Sequence, residues 1–547
     1  MKSRHLWTGC AAAALSLTFA IGVAQAQIVE KANPTLQGDG TMGPAARAAM
    51  ERGRLLMNDA DAAAKEASTK AAIEYKTDAP DTLSPETGGA AAAAKAPAIV
   101  GGHSFAGQSA TTSSPSDSTG TIGPFSYIQT VNKSVRIYNR TTNAIIATGT
   151  LNQLAGLAST VNSFDPQIMW DAQTNRFYYL MDSVFSSTNN KLAFGFSTTS
   201  NPTNVTTNWC HYTFTPGDPA RFPDYPKLGD SFWFIIFGVN SFKGGFQGSD
   251  LIAISKPAAG ATCPSATTFK FGTRLNITDS GGVNKTFTPV PANQVDTNGI
   301  GYVVARNGGL PSNRLWFYSV SRNASTGGPI FGNGRGLTVA SYTVPPAANQ
   351  PTFTQVIDTL DARPTQAVQA INPDRGSTQS FWVQHTVRHP TAARSVVRWY
   401  EVNPVPAAPV LLRSGSIGDG VSNFYNAAIS PDRRRDGATL RFGDSFVIQY
   451  NVSGPTISPR IVAGSSFSGG AVSFLLVRNA VGPYRDFTCP SAGNTCRWGD
   501  YSAAAPDPRP TSVATRGEVW VTNQYSGLAN PSTSAANFRT WISAIQP

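Results

Sequence analysis

The feature that most constrains this chain is a recurring cycle of short strand-forming runs. β-Branched and aromatic stretches lie at 125–131, 134–138, 177–180, 191–196, 232–236, 251–254, 315–320, 380–383, 397–402, 445–448, 518–522 and 538–542. Each is four to eight residues long, and most are bounded by turn formers. No amphipathic helical pattern of comparable strength separates them, which argues against a parallel α/β fold. The runs also return in a longer cycle. Its openings are Phe164-Asp165-Pro166, Pro223-Asp224-Tyr225-Pro226, Pro289-Val290-Pro291, Ala362-Arg363-Pro364, Asn423-Phe424-Tyr425 and Arg497-Trp498-Gly499-Asp500-Tyr501-Ser502. Each opening reads as a Pro- or Asp-containing turn ahead of a strand.

From Asp165 to Asp500 the steps run from about 60 to about 75 residues. That holds four strands and their loops, and exceeds the roughly 40–50 residues of compact repeats. A further set of strands at 121–150 lacks such an opening and brings the count to seven units. An isolated four-stranded sheet has two apolar faces and open edges. Radial stacking buries the faces between neighbours and leaves only short edges. The cycle therefore predicts an all-β chain, a β-propeller over 121–547 of seven four-stranded blades. Six is the nearest alternative count, and two or three stacked β-sandwiches are the rival architecture. Segments 121–150 and 518–545 would share a blade or abut to close the ring.

Composition supports this reading. Charged residues make up 14% of the chain, against about 25% in average soluble domains. That excludes a coiled coil or a long helical bundle. With 41% hydrophobic and 10% aromatic residues the chain can bury a large core, so it is not disordered throughout. Residues 27–120 are Ala-, Ser-, Thr- and Gly-rich and nearly free of aromatics. Over 27–76 the reading is an Ala-rich helical segment, its helix spanning 44–76 with no internal Pro, followed by a flexible linker over 77–120. The net charge of +11 is uneven: −3 on 27–120 and +12 on 121–547.

Residues 1–26 read as a secretory signal peptide. Lys2 and Arg4 precede an apolar stretch from Ala11 to Ala24, and Ala24-Gln25-Ala26 offers cleavage before Gln27. The apolar run is shorter than the ~20 residues of a membrane span, and no later segment is long and apolar enough to serve as one. The chain is thus expected to be exported, extracellular or periplasmic, and monomeric. Removing Cys10 leaves Cys210, Cys263, Cys489 and Cys496, an even count in an oxidising compartment. Of the three pairings, Cys489–Cys496 across a short loop with Cys210–Cys263 is preferred. No C-x-x-C or nearby His pair argues for zinc.

Several stretches resemble a group of secreted bacterial β-propeller proteins that has no shared established activity. They are Gly123-Pro124 through Tyr127-Ile128-Gln129-Thr130-Val131-Asn132 to Ile137-Tyr138, and Phe164-Asp165-Pro166-Gln167-Ile168-Met169-Trp170-Asp171 with Arg176-Phe177. Asp224-Tyr225-Pro226-Lys227-Leu228-Gly229 and Arg497-Trp498-Gly499-Asp500-Tyr501-Ser502 are the most recognisable. The resemblance covers roughly 121–547. It implies a propeller fold and an exported location, and places the chain loosely near sialidase-like propellers.

A sialidase needs an Arg clamp for the substrate carboxylate, a Tyr nucleophile activated by Glu, and an acidic proton donor. Beyond residue 120 the only Glu residues are Glu401 and Glu518, both within strand runs. The Asp-box turn is at best broken, as Ser430-Pro431-Asp432 and Asp436-Gly437-Ala438-Thr439. Other glycoside chemistry needs two carboxylates about 5–10 Å apart. Asp165, Asp224 and Asp500 fall at cycle openings, so a ring could bring them to one mouth of its channel. The competing reading is that each caps a turn. Lys227, Arg363, Tyr425, Arg497 and Tyr501 are the matching binding candidates. No cofactor is expected; converging carboxylates could at most hold a structural Ca²⁺. His103, His211, His385 and His389 form no metal or triad motif. Arg433-Arg434-Arg435 reads as an exposed turn. Nucleic acid does not suit an exported chain. The expected function is a non-catalytic binding or scaffold module for an acidic polysaccharide, an envelope component or a protein. The alternative is an extracellular glycan hydrolase or lyase.

Overall fold

A computed structural model describes residues 30–31 and 96–547, apart from residues 111, 187–188, 244, 259, 261, 297, 433–442 and 510–516. The expected signal peptide, helix and Arg433–Arg435 turn lie outside the described residues. The chain is an all-β, seven-bladed β-propeller of four-stranded antiparallel sheets. The first blade comprises Thr119–Ile122, Ser126–Val131, Ser134–Asn139 and Ile145–Thr150. Innermost strands of the next five are Asn162–Asp171, Phe222–Asp230, Thr286–Pro291, Pro364–Asn372 and Asn423–Pro431. The seventh runs outward from Ala503–Pro506 through Val519–Ser526 and Phe538–Gln546 to Ala98–Ser109.

That last strand corrects the expected linker. Residues 98–109 pair with 539–546 as the outermost strand of the seventh blade, and 119–122 open the first blade. The segments 121–150 and 518–545 therefore abut as separate blades. The reason is packing: Val100 and Phe105 carry enough apolar surface to close a sheet, although Gly, Ala and Ser surround them. Phe105 lies 5.4 Å from the Tyr138 ring of the first blade. Val100 and Phe105 pack on a cluster of Ile122, Tyr127, Tyr138, Trp520 and Ile542 that joins the last blade to the first. Gln108 adds a polar tie, donating to Gln129 O and accepting from Ser134 Oγ. Similar apolar clusters fill each of the other six blade interfaces. Both faces of most strands are buried, which accounts for the low charge content.

Four of the cycle openings sit inside the innermost strands rather than ahead of them, Ala362-Arg363-Pro364 runs into its strand at Pro364, and Arg497–Ser502 precedes its strand as expected. Pairing with the second strand is interrupted between Phe164/Gln167, Asp224/Lys227, Phe287/Val290, Pro364/Ala367 and Tyr425/Ala428. At four of these bulges the first skipped residue has left-handed backbone: Asp165, Tyr225, Thr288 and Asn426, at φ 52°, 59°, 56° and 49°. Such conformations cost about 1–3 kcal/mol each and persist only where their surroundings impose them. Here they do. Asp165 N donates to Asn132 Oδ1, and Thr288 N to Asn240 Oδ1, at 2.9 and 2.8 Å, from the preceding blades. The second skipped residue is Pro166, Pro226 or Pro289 in three cases, and proline has no N–H to leave unpaired. The Asp-Pro and Tyr-Pro pairs are thus bulge signals.

Both expected disulfides are present, Cys210–Cys263 and Cys489–Cys496. No helix among the described residues is long and apolar enough to cross a membrane.

Candidate functional site

The bulges face the end of the ring where the innermost strands begin, and most of the expected site residues meet there. Asp165 comes from the second blade, Asp224, Tyr225 and Lys227 from the third, and Asp500 and Tyr501 from the segment entering the seventh. Tyr501 Oη donates to Asp165 Oδ2 at 2.7 Å, and Tyr225 Oη to the Asp500 carbonyl at 2.7 Å. The two rings lie 4.8 Å apart. Lys227 Nζ sits between them, 4.3 Å from the Tyr225 centroid and 3.8 Å from that of Tyr501. This ammonium is buried and makes no hydrogen bond. Burial pushes its pKa well below the usual lysine value, although Asp500, Asp165 and Asp117 pull the other way.

Arg363 belongs to the same cluster through Tyr225, its guanidinium 4.4 Å from the ring. It forms a bidentate pair with Asp361, at 2.6 and 2.7 Å. Burial opposes that charge, but Asp361 more than offsets it and holds the Arg363 pKa high. Arg497 Nη2 lies 3.4 Å from Asp500 Oδ2. Tyr425 is separate: it is buried under the cap, with its ring 6.2 Å from Trp498.

Asp117 is the residue the sequence reading missed. Its Oδ1 accepts from Asp500 N at 2.7 Å, and its other oxygen from Asn132. Burial, then the neighbouring Asp500, raises its pKa. A signal was available: Asp117-Ser118-Thr119 precedes a small-residue strand as Asp500-Tyr501-Ser502 does. It was obscured by the Ser/Gly-rich surroundings.

This mouth is sealed. Asp165, Asp224 and Asp500 retain 7%, 9% and 2% of their exposure. Two long connections, 343–363 and 479–502, lie over them as a cap, joined where Val356–Ile357 pairs with Thr495–Cys496. Ala348, Ile357, Tyr425, Tyr484, Trp498 and the Cys489–Cys496 disulfide give the cap its own apolar core. Gly499 makes the turn beneath it at φ 131°, where a Cβ would stand 3.2 Å from Ser116 Oγ. Below the cluster, Gln366 crosses the bore to exchange two hydrogen bonds with Ala504, at 2.6 and 2.9 Å. The space left there is about 40 Å³, room for a water or two. The bore is not a passage. Among the described residues no group of three His, Cys, Asp or Glu side chains could hold a metal ion.

The remaining polar candidates are structural. His385 Nδ1 faces the Ala362 carbonyl and Nε2 faces Tyr400 Oη, both at 3.0 Å, and burial lowers its pKa to about 3. Glu401 is buried and accepts from Arg413, Asn372 and Ser380. At the opposite end of the ring, Lys256 bridges Asp171 and Asp230 at 2.9 and 2.7 Å.

An open cavity of ligand size lies on that opposite face. It has a volume of about 550 Å³ and is lined by Pro124, Phe125, Asn139, Arg140, Thr141, Ile146, Asn201, Thr203 and Arg509. It spans the seventh, first and second blades, and none of its lining residues is acidic.

No family model and no curated protein sequence matches the chain. Among solved structures it is similar to an exo-β-1,3-galactanase from Clostridium thermocellum, with 12% identity over 62% of this chain and 76% of that one, at a TM-score of 0.30. An α-L-arabinanase from Penicillium chrysogenum shares 12% identity over 68% and 99%, at 0.32. A subtype N11 neuraminidase-like protein of a flat-faced bat H18N11 virus shares 8% over 72% and 98%, at 0.35. At such identities and scores the likeness does not extend to chemistry.

Proposed function

We propose that the chain is an exported, non-catalytic binding module whose ligand is an extracellular or envelope glycan or protein. One observation carries this reading: three of the carboxylates that converge, Asp117, Asp165 and Asp500, are engaged where they stand. Asp165 accepts from Tyr501, and Asp117 accepts from Asp500 N and Asn132. Asp500 faces Arg497, and the cap covers the whole group. A general acid must reach its substrate within hydrogen-bond distance. None of these side chains is placed to do so with the cap closed. The two disulfides and the signal-like N-terminus support export.

The second reading, a glycan hydrolase or lyase, is favoured by one fact. Asp165, Asp224 and Asp500 all lie at one mouth, beside Lys227 and Arg497. That reading requires the cap to lift. Incubation with a panel of neutral and acidic polysaccharides, followed by assay for new reducing ends and unsaturated sugars, decides between the two. Binding without product supports the module. Product formation that disappears in Asp165→Asn or Asp500→Asn overturns it.

A further inference from the structure

The open cavity opposite the cap has the chemistry of a saccharide site. Its 550 Å³ falls within the range of small-molecule pockets, about 300–1,000 Å³. Phe125 stands at its wall with 53% of its surface exposed, a large apolar ring that folding leaves in water. It lies in the turn after the first innermost strand, beside Gly123 and Pro124. Such a ring can take the C–H face of a pyranose or furanose.

Polar groups surround it. Thr141, Asn201 and Thr203 are exposed, and their side-chain chemistry is that of short neutral donors and acceptors. Arg140 is 2% exposed and fixed from behind, with Nη1 donating to Gly123 O at 2.8 Å and Nη2 to Asp507. Its remaining Nε–H has no acceptor. That N–H is closed off from solvent, so Arg140 braces the wall from behind.

The charge balance narrows the ligand further. Asp507 and Glu518 act electrostatically on both Arg140 and Arg509, so two acids stand behind two arginines. The wall presents N–H groups and little net charge. From this, and resting on the binding reading above, we infer that the cavity between the seventh, first and second blades binds a neutral oligosaccharide. One sugar stacks on Phe125, and its hydroxyls meet Asn201 and Thr203.

The test uses the full exported chain on an array of neutral and uronate-bearing oligosaccharides, followed by titration calorimetry of the tightest neutral binder. Phe125→Ala should weaken binding about tenfold, as loss of a stacking ring implies. Thr203→Ala should weaken it severalfold. Trp233→Ala, an exposed ring on another blade, should leave it unchanged. Raising salt from 50 to 500 mM should alter affinity less than twofold. The inference is overturned if no neutral glycan binds, if Phe125→Ala binds as tightly as the parent, or if affinity collapses in salt. Cleavage of a bound glycan would refute the non-catalytic reading alone. Binding that ignores Phe125 and Thr203 would refute the cavity alone.

Discussion

If the clustered acids are structural, removing a single hydroxyl from the cluster should cost stability. Tyr501→Phe is the sharpest such change. The ring stays, so its packing on Lys227 at 3.8 Å and on Tyr225 at 4.8 Å is kept. Only the 2.7 Å bond to Asp165 Oδ2 is lost. Tyr501 is fully buried and Asp165 is 7% exposed, so water cannot replace the donor cheaply. A hydrogen bond to a charged group contributes about 1.5–3 kcal/mol net. The variant should therefore lose about 1.5–3 kcal/mol of unfolding free energy by urea titration. Combined with Asp165→Asn in a double-mutant cycle, it should show coupling above about 1 kcal/mol. Ligand affinity should not change, since the binding cavity lies at the other end of the ring. A loss below about 0.5 kcal/mol with no coupling would refute the reasoning, because a surface-like site tolerates such a change.

Other expectations follow from the same structure. Replacing Cys489 and Cys496 with serine opens a loop of separation 7 and should cost about 2.5 kcal/mol, whereas the Cys210–Cys263 pair, at separation 53, should cost about 4 by denaturant titration. The folded pKa of His385 is about 3 against 6.5 unfolded, so the unfolded state binds the extra proton between those values. Stability from this group is complete above pH 6.5 and falls as pH drops towards 3; His385→Gln should flatten that slope in urea titrations at several pH values. Gly499→Ala should cost about 1–3 kcal/mol, because alanine must adopt backbone that L side chains avoid and a Cβ would crowd Ser116. A chain starting at residue 96 should unfold cooperatively like the full chain, and one starting at 111 should not, by circular dichroism on heating.

The ring itself was legible because stacking blades repeats the same demand on the sequence at every turn. Asp165-Pro166, Tyr225-Pro226 and Pro289 recur since the innermost strands of the second to sixth blades carry the same bulge. They looked like turns because the residues that favour left-handed backbone or lack an N–H are also turn residues. The disulfides were legible from an even count and a short Cys489–Cys496 loop. The closing strand 98–109 was not, since its partner lies more than 400 residues away and its own composition is small and polar. Convergence of Asp165, Asp224, Lys227, Asp500 and Tyr501 could be read from their position in the cycle. Their burial could not, because the cap depends on Val356–Ile357 meeting Thr495–Cys496, a pairing without local signal. Phe125, Arg140, Thr203 and Arg509 belong to three blades, and no spacing connects them.

Hydrogen–deuterium exchange with and without a bound oligosaccharide tests most directly which end of the ring meets the ligand. The account predicts slower exchange in the turns around 123–125, 140–146 and 201–204, with the cap at 483–502 unchanged. Protection confined to the cap, or exchange that quickens there as it lifts from Asp165 and Asp500, would contradict it.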